Sequence, residues 1–248
     1  MTLEVKHIAK SFGEKQVLKD VSFALDKGQI AVLMGANGSG KTTLFNIISG
    51  FLKQDNGEIL LNKKPLNKTE VYQINKLGIT RTFQDMRLIG NLTVKENIML
   101  SFPNQKGENW WNVIFPNKTV IQEQHSNENQ TNQILNTCFI AQVSESKANE
   151  ISYGQQKLLN LSCCLANDAQ VVLLDEPVAG VDPVYREKLG SAIQKLKQDG
   201  KAVLIIEHTS DVIEAVADKI LFLNEGTIIQ FDSYDTFKNN DFVQEAYI

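Results

Sequence analysis

Gly35-Ala36-Asn37-Gly38-Ser39-Gly40-Lys41-Thr42-Thr43 is the stretch whose reading decides the fold. Ahead of it, residues 29–34 form an apolar run without alternation, the pattern of a strand buried on both faces. Behind it, residues 41–49 carry Leu44, Ile47 and Ile48 on one helical face and stop at Gly50. Strand, glycine-rich turn and helix in that order is the context a phosphate-binding P-loop requires. Glycines let successive backbone N–H groups turn inward around phosphate oxygens. The helix N-terminus adds a dipole favourable to an anion. At these positions Lys41 would reach the β- and γ-phosphates of a nucleotide, and the Thr42 hydroxyl would ligate Mg²⁺.

Similar apolar runs recur at residues 79–83, 171–174, 202–206 and 219–223, with amphipathic stretches between them. Pro183 is placed to open a helix in which Leu189, Ala192, Ile193 and Leu196 share a stripe. Strands alternating with helices predict a parallel α/β sheet. The N-terminal part differs: residues 2–8, 16–25 and 58–61 read as short antiparallel strands joined by turns at Gly13 and Gly57. Residues 85–165 read as a mostly helical subdomain inserted in the core, with a helix over 155–166. The whole chain is then a single domain: 1–84 the antiparallel β and P-loop region, 85–165 the insert, 166–248 the rest of the core and the tail. Within the insert, thirteen of the 33 residues from 104 to 136 are Asn or Gln, which predicts a segment too polar to bury much surface. Trp110 and Trp111 in it read as a local anchoring cluster rather than a partner contact. The acidic, amide-rich tail after Asn224 reads as solvated surface.

The 248 residues, 42% hydrophobic and 22% charged, are globular in composition, and a net charge of −4 argues against life on nucleic acid. Three cysteines, Cys138, Cys163 and Cys164, cannot build a disulfide scaffold; they predict buried thiols in a reducing compartment. The start, MTLEVKHIAK, has charges where a signal peptide needs an apolar core. No apolar run approaches the roughly 18 residues that span a bilayer. A cytoplasmic chain is expected.

Two carboxylates close the 171–174 run. Asp175 is placed to hold Mg²⁺ through water, and Glu176 to accept a proton from an attacking water. Gln84 follows the run at 79–83 and could sense Mg²⁺ or water, while His208 follows the run at 202–206 and could contact a γ-phosphate. In a parallel sheet all these carboxyl ends lie on one edge, where ligands bind.

With these motifs in this order the chain resembles, along nearly its whole length, the nucleotide-binding subunit of ABC transporters. Ile151-Ser152-Tyr153-Gly154-Gln155-Gln156 looks like the family's signature sequence. The resemblance implies a RecA-like P-loop NTPase core with a mostly parallel sheet, an N-terminal antiparallel β subdomain and an inserted α-helical subdomain. It implies ATP and Mg²⁺ as ligands. Ser152, Gly154 and Gln155 would serve the ATP of the opposite subunit in a head-to-tail dimer. Asp182, in Ala179-Gly180-Val181-Asp182, would communicate across that dimer, and Phe12, in Lys10-Ser11-Phe12-Gly13, would stack on adenine.

Gly78-Ile-Thr-Arg-Thr-Phe-Gln84, Arg87-Leu88 followed by Leu92-Thr-Val-Lys-Glu-Asn97, and the tail Val243-Gln-Glu-Ala-Tyr247 are similar to the larger ATPase subunit of branched-chain (hydrophobic) amino-acid importers. Leu158-Leu-Asn-Leu-Ser-Cys-Cys-Leu165 departs from the basic run usual there. The implied assembly is a homodimer or a heterodimer with a second ABC ATPase, peripheral on the inner face of the membrane. Integral membrane permease subunits would dock near residues 84–100, at Met86, Arg87 and Leu88. A lipid or lipopolysaccharide exporter and a non-transport soluble ABC ATPase remain the alternative readings.

Overall fold

Runs of Val, Ile and Leu without alternation need cover on both faces of a sheet, and the chain supplies it by placing helices between strands. The computed structural model describes residues 2–66, 71–82, 86, 88–103, 105 and 118–247. In chain order the elements are β1 (Leu3–Phe12), β2 (Lys15–Leu25), β3 (Ile30–Met34), α1 (Lys41–Ile48), β4 (Asn56–Leu61), β5 (Lys64–Pro65), α2 (Val71–Leu77), β6 (Ile79–Arg81), α3 (Val94–Leu100), α4 (Lys118–Thr137), α5 (Tyr153–Ala166), β7 (Val171–Asp175), α6 (Pro183–Gln198), β8 (Ala202–Ile206), α7 (Ser210–Val216), β9 (Lys219–Asn224), β10 (Thr227–Phe231), α8 (Tyr234–Lys238) and α9 (Asp241–Tyr247). They fall into two compact units, one of Met1–Gln84, Ala169–Ala179 and Ile193–Ile248, the other of Asp85–Asp168 and Gly180–Ala192.

In the first unit β9, β3, β8, β7 and β6 lie side by side in that order and run parallel. Every residue of β3, β7 and β8 is buried. Each buried aliphatic side chain there contributes about 1.5–3 kcal/mol. β10 turns back antiparallel on β9 and meets β2 at one parallel pair, Thr227 with Asp20. β1, β2, β4 and β5 form the antiparallel part. Gly13, at φ 59, makes the β1–β2 turn. Gly57 does not make the other expected turn. It lies inside β4 with φ 89, where a Cβ would stand 2.3 Å from the His7 carbonyl oxygen, because a bulge in β1 at His7 brings the two backbones together.

The tail after Asn224 is packed rather than only solvated. Glu225 and Gly226, both left-handed at φ 46 and 79, make the tight turn that returns β10 along β9. Phe237 of α8, 1% exposed, meets Phe222 edge-on at 5.4 Å and Phe231 at 5.5 Å, and stacks on Tyr234 at 6.0 Å. Val243 of α9 is fully buried. Few apolar residues suffice when each fills a site between β9, β10 and α8.

In the second unit α3, α4 and α5 pack on one another. Of the Asn/Gln-rich segment, residues 118–136 form most of the 20-residue helix α4, which stays largely exposed along its described length. Its inward line holds Asn127, Thr131 and Leu135 at four-residue spacing, and two of the three are polar. Thr131 is nevertheless fully buried, its hydroxyl donating back to the Asn127 carbonyl at 2.7 Å. Trp110 and Trp111 lie outside the described residues. Among the described residues no helix is long and apolar enough to cross a membrane. Burial pushes the Cys138 thiol up to about 11, only partly offset by a hydrogen bond with Ser162.

Two measurements check this packing. Phe237→Ala should cost about 3–5 kcal/mol in urea unfolding; a loss under 1 kcal/mol would return the tail to the surface. Cys138 should stay unreactive to a thiol reagent at pH 8 in the folded protein and react once it is unfolded.

Candidate functional site

The loop between β3 and α1 is shaped by glycines that accept no side chain. Gly35, Gly38 and Gly40 have φ of 151, 80 and 107. A Cβ on Gly35 would lie 2.3 Å from the Leu223 carbonyl oxygen, and one on Gly40 would lie 2.9 Å from Leu18 Cδ2. Gly40 caps α1 without any side-chain hydrogen bond, so the first N–H groups of the helix depend on other partners. Lys41, 8% exposed, donates from Nζ to the carbonyls of Gly35 at 2.7 Å and Ala36 at 3.0 Å. Burial holds its ammonium below the usual lysine value, while the charges of Glu176 and Asp175 pull it back up. Ser39 Oγ is buried without a hydrogen-bond partner, an orphaned donor of the kind a phosphate oxygen satisfies. Asn37 and Thr42 are exposed and Thr43 is half-buried. A glycine cradle, a buried cation and an orphaned hydroxyl together fit the phosphates of a nucleotide.

Strand order then decides which residues stand beside this loop. β3 is flanked by β8, β8 by β7 and β7 by β6, so the segments leaving their carboxyl ends share one sheet edge. Asp175 is the last residue of β7, 7% exposed. Glu176 follows in the left-handed region, φ 47, which is strained for a residue with a Cβ. Its amide donates to the Ile206 carbonyl of β8 at 3.0 Å. His208, just beyond β8, brings Nε2 to 4.0 Å from Glu176 Oε1. The structure therefore brings Lys41, Asp175, Glu176 and His208 onto one edge. Gln84, the fourth strand-end candidate, lies outside the described residues, as does Arg87.

Arg81, at the end of β6, carries no local signal of a task of its own. In the fold it holds Asp175. Nη2 donates to Asp175 Oδ2 at 2.9 Å, with both side chains almost wholly buried. Nη1 donates to Asn46 Oδ1 at 2.7 Å and Ser49 Oγ at 3.2 Å, and the guanidinium lies 5.4 Å from the Phe45 ring centroid. One cation thus ties α1 to β6 and β7. Asp175 Oδ1 stays outside that pair, which, with the Thr42 hydroxyl, supplies the hard oxygen donors that Mg²⁺ takes. Phe12 is 50% exposed at the end of β1, with Lys10 Nζ 5.6 Å above its ring, a flat apolar face open to a planar base.

The remaining candidates belong to the second unit. Ser152 opens α5 with a capping box: its Oγ accepts from the Gln155 amide at 3.4 Å and its amide donates to Gln155 Oε1 at 2.8 Å. A Cβ on Gly154 would meet Tyr185 Cγ at 2.7 Å, so packing alone requires glycine there. Asp182 Oδ1 accepts from the amides of Val184 and Tyr185 at 3.0 and 3.2 Å at the start of α6. All four residues have a local structural task that leaves the hydroxyl proton of Ser152 and the second oxygen of Asp182 for other partners.

The profile of the ABC transporter family matches residues 18–179. The chain is 31% identical over 246 residues to the probable branched-chain amino acid transport ATP-binding protein LivG of Archaeoglobus fulgidus, covering 99% of this chain and 95% of that one. It is 34% identical over 227 residues to the protein of the same name from Methanocaldococcus jannaschii, covering 92% and 88%. Against the high-affinity LivG of Escherichia coli it is 29% identical over 247 residues, covering 99% and 97%. Among solved structures, a nucleotide-free ATP-binding cassette from an ABC transporter matches with a TM-score of 0.82 and 33% identity, covering 100% of this chain and 98% of that one. A dimeric post-hydrolysis cassette bound to ADP and Pi matches with a TM-score of 0.74 and 26% identity, covering 93% and 98%.

Arg81→Met would strand the Asp175 carboxylate in the core. It should cost about 3–5 kcal/mol in urea unfolding without nucleotide, and Asp175→Asn in the same background should recover part of that loss. Wild-type stability for Arg81→Met would mean that the pair is not desolvated.

Proposed function

The chain belongs to the ABC transporter family and is an ATPase with the P-loop α/β fold, and from that premise we propose that it energises import of a small solute such as branched-chain amino acids or a related amide through separate membrane subunits. The observation that carries the reading is the line-up of Lys41, Asp175, Glu176 and His208 at adjoining strand ends around a loop with an orphaned hydroxyl. The solute class rests on what the LivG relatives are named for.

Each residue then has a task set by its position. Gly35, Asn37, Gly38, Ser39, Gly40 and Thr43 wrap the phosphates with backbone and hydroxyl donors, and Lys41 neutralises their charge. Phe12 stacks on adenine. Thr42 and Asp175 would hold Mg²⁺, with Gln84 as the further residue to sense it; bound there, the ion would withdraw charge from the phosphate oxygens. Glu176 takes the proton of the attacking water. The water oxygen bonds to the γ-phosphorus as the bond to the bridging oxygen breaks, leaving ADP and inorganic phosphate. His208 donates to the γ-phosphate.

Ser152, Gly154 and Gln155 would complete the ATP site of a second copy or of a sister ATPase, and Asp182 would sense that closure. Tighter ATP binding to the closed pair than to the open one is what turns hydrolysis into work. The permease subunits dock on the segment 84–100, which exposes Ile89 and Leu100 at 51% and 59%. Asn97, buried beneath, braces this face: its side chain donates to the carbonyls of Ile89, Leu92 and Thr93 and accepts from the Ile89 amide. Docking there would put the subunit on the cytoplasmic face of the membrane.

Glu176→Gln should keep ATP affinity while lowering kcat about 10²–10⁴-fold, and ATP should then shift the protein to a dimer in size-exclusion chromatography. Turnover near wild type would remove Glu176 as the base. The transport reading is checked by isolating the native complex in mild detergent. Two multi-span membrane proteins support it; soluble partners alone would overturn it and leave the ATPase standing.

A further inference from the structure

Between Glu176 and His208 stands a third acidic residue to which the reaction assigns nothing. Glu207 directly follows β8 and is 3% exposed. Its Oε1 accepts three donors: the His208 amide at 2.9 Å, the Thr209 amide at 3.1 Å and the Thr209 hydroxyl at 2.8 Å. Its Oε2 is buried without a hydrogen-bond partner. A buried carboxylate with one oxygen unmatched is costly, and the local fold gives up something further to keep it. Thr209 is the N-cap of α7, yet its side chain makes no capping bond to the helix, because its hydroxyl is given to Glu207 instead. Threonine at that position ordinarily stabilises its own helix.

The three bonds do one geometric thing. Two successive amides must point at the same oxygen, so the chain between 207 and 209 cannot straighten or rotate. His208 is the residue whose direction that turn sets. On the other side of Glu207, the Ile206 carbonyl holds the amide of Glu176 at 3.0 Å. The single stretch Ile206-Glu207-His208 therefore fixes the backbone of Glu176 and the backbone of His208, the two groups whose side chains come within 4.0 Å.

We propose that Glu207 is a positioning residue of ATP hydrolysis, whose carboxylate locks the turn that aims His208 at the γ-phosphate beside Glu176. The inference rests on the role given above to His208, and the test keeps the two apart.

Steady-state ATPase activity and ATP affinity should be measured for Glu207→Ala, Glu207→Gln, His208→Ala and the double variant Glu207→Ala/His208→Ala. His208→Ala is expected to lower kcat about 10²-fold or more. Glu207→Ala should lower kcat by up to about 10²-fold, the size of a misplacement of roughly 1 Å, with ATP affinity within about twofold of wild type. Glu207→Gln retains an acceptor oxygen for the amides and should recover most of that loss. The deciding comparison is the double variant: if Glu207 acts through His208, it should be no slower than His208→Ala. Losses that multiply would mean an independent structural role and would overturn the inference alone. Wild-type kcat for His208→Ala would overturn the role of His208 and the inference with it. If Glu207→Ala does not fold, Thr209→Val removes one of the three donors and carries the same comparison: a loss in kcat that vanishes in the His208→Ala background supports the lock, and one that persists overturns it.

Discussion

A guanidinium buried against a carboxylate holds the catalytic edge together. Arg81 and Asp175 are both almost fully desolvated, and such a pair is tolerable only when its remaining hydrogen-bonding groups are also met. Asn46 and Ser49 meet two of them from α1. The consequence is mechanical. The helix that begins at the glycine loop, strand β6 and the strand that ends in Asp175 are anchored to one cation. None can shift alone without leaving a buried charge unpaired.

The same edge concentrates unusual backbone and polar states. Glycines in the left-handed region shape the loop, Glu176 is held there despite its side chain, and Ser39 and Glu207 keep buried polar atoms unmatched. Elsewhere in the first unit the described core is mostly aliphatic, with Phe23, Phe45, Phe222 and Phe237 among its buried side chains. Strain and orphaned donors persist where surrounding structure over-determines them, and here that surrounding is three fully buried parallel strands.

The second unit is stabilised in another way. α3 and α5 both begin with complete capping boxes, at Thr93 with Glu96 and Ser152 with Gln155. Hydrogen bonds from Thr93 hold the Glu96 carboxyl below its usual range. Its long helix, α4, turns polar residues inward along with Leu135, and buried Asn97 replaces apolar contact by four hydrogen bonds within the 89–97 segment.

The sequence by itself determined the strand–loop–helix of residues 29–49, the apolar runs at 171–174 and 202–206, and the identity of the family, because all are local patterns. A glycine-rich turn between a buried strand and a helix has few physical realisations, and uninterrupted Val, Ile and Leu have one comfortable home. Helix α4 escaped because periodicity counts only apolar residues, and its inward line is a half-buried Asn127 and a buried Thr131 before it reaches Leu135. The tail escaped because a handful of aromatics, Phe222, Phe231, Tyr234 and Phe237, carry its packing across three elements. Arg81 was silent because an arginine has no fixed partner until strand order supplies one; Glu207 bonds to its own neighbours His208 and Thr209, and it is the burial of its carboxylate that only the fold shows. Only tertiary structure could decide that β6 lies beside β7 and that β8 lies between β3 and β7, and those adjacencies give Arg81 its buried partner Asp175 and bring Glu176 beside His208.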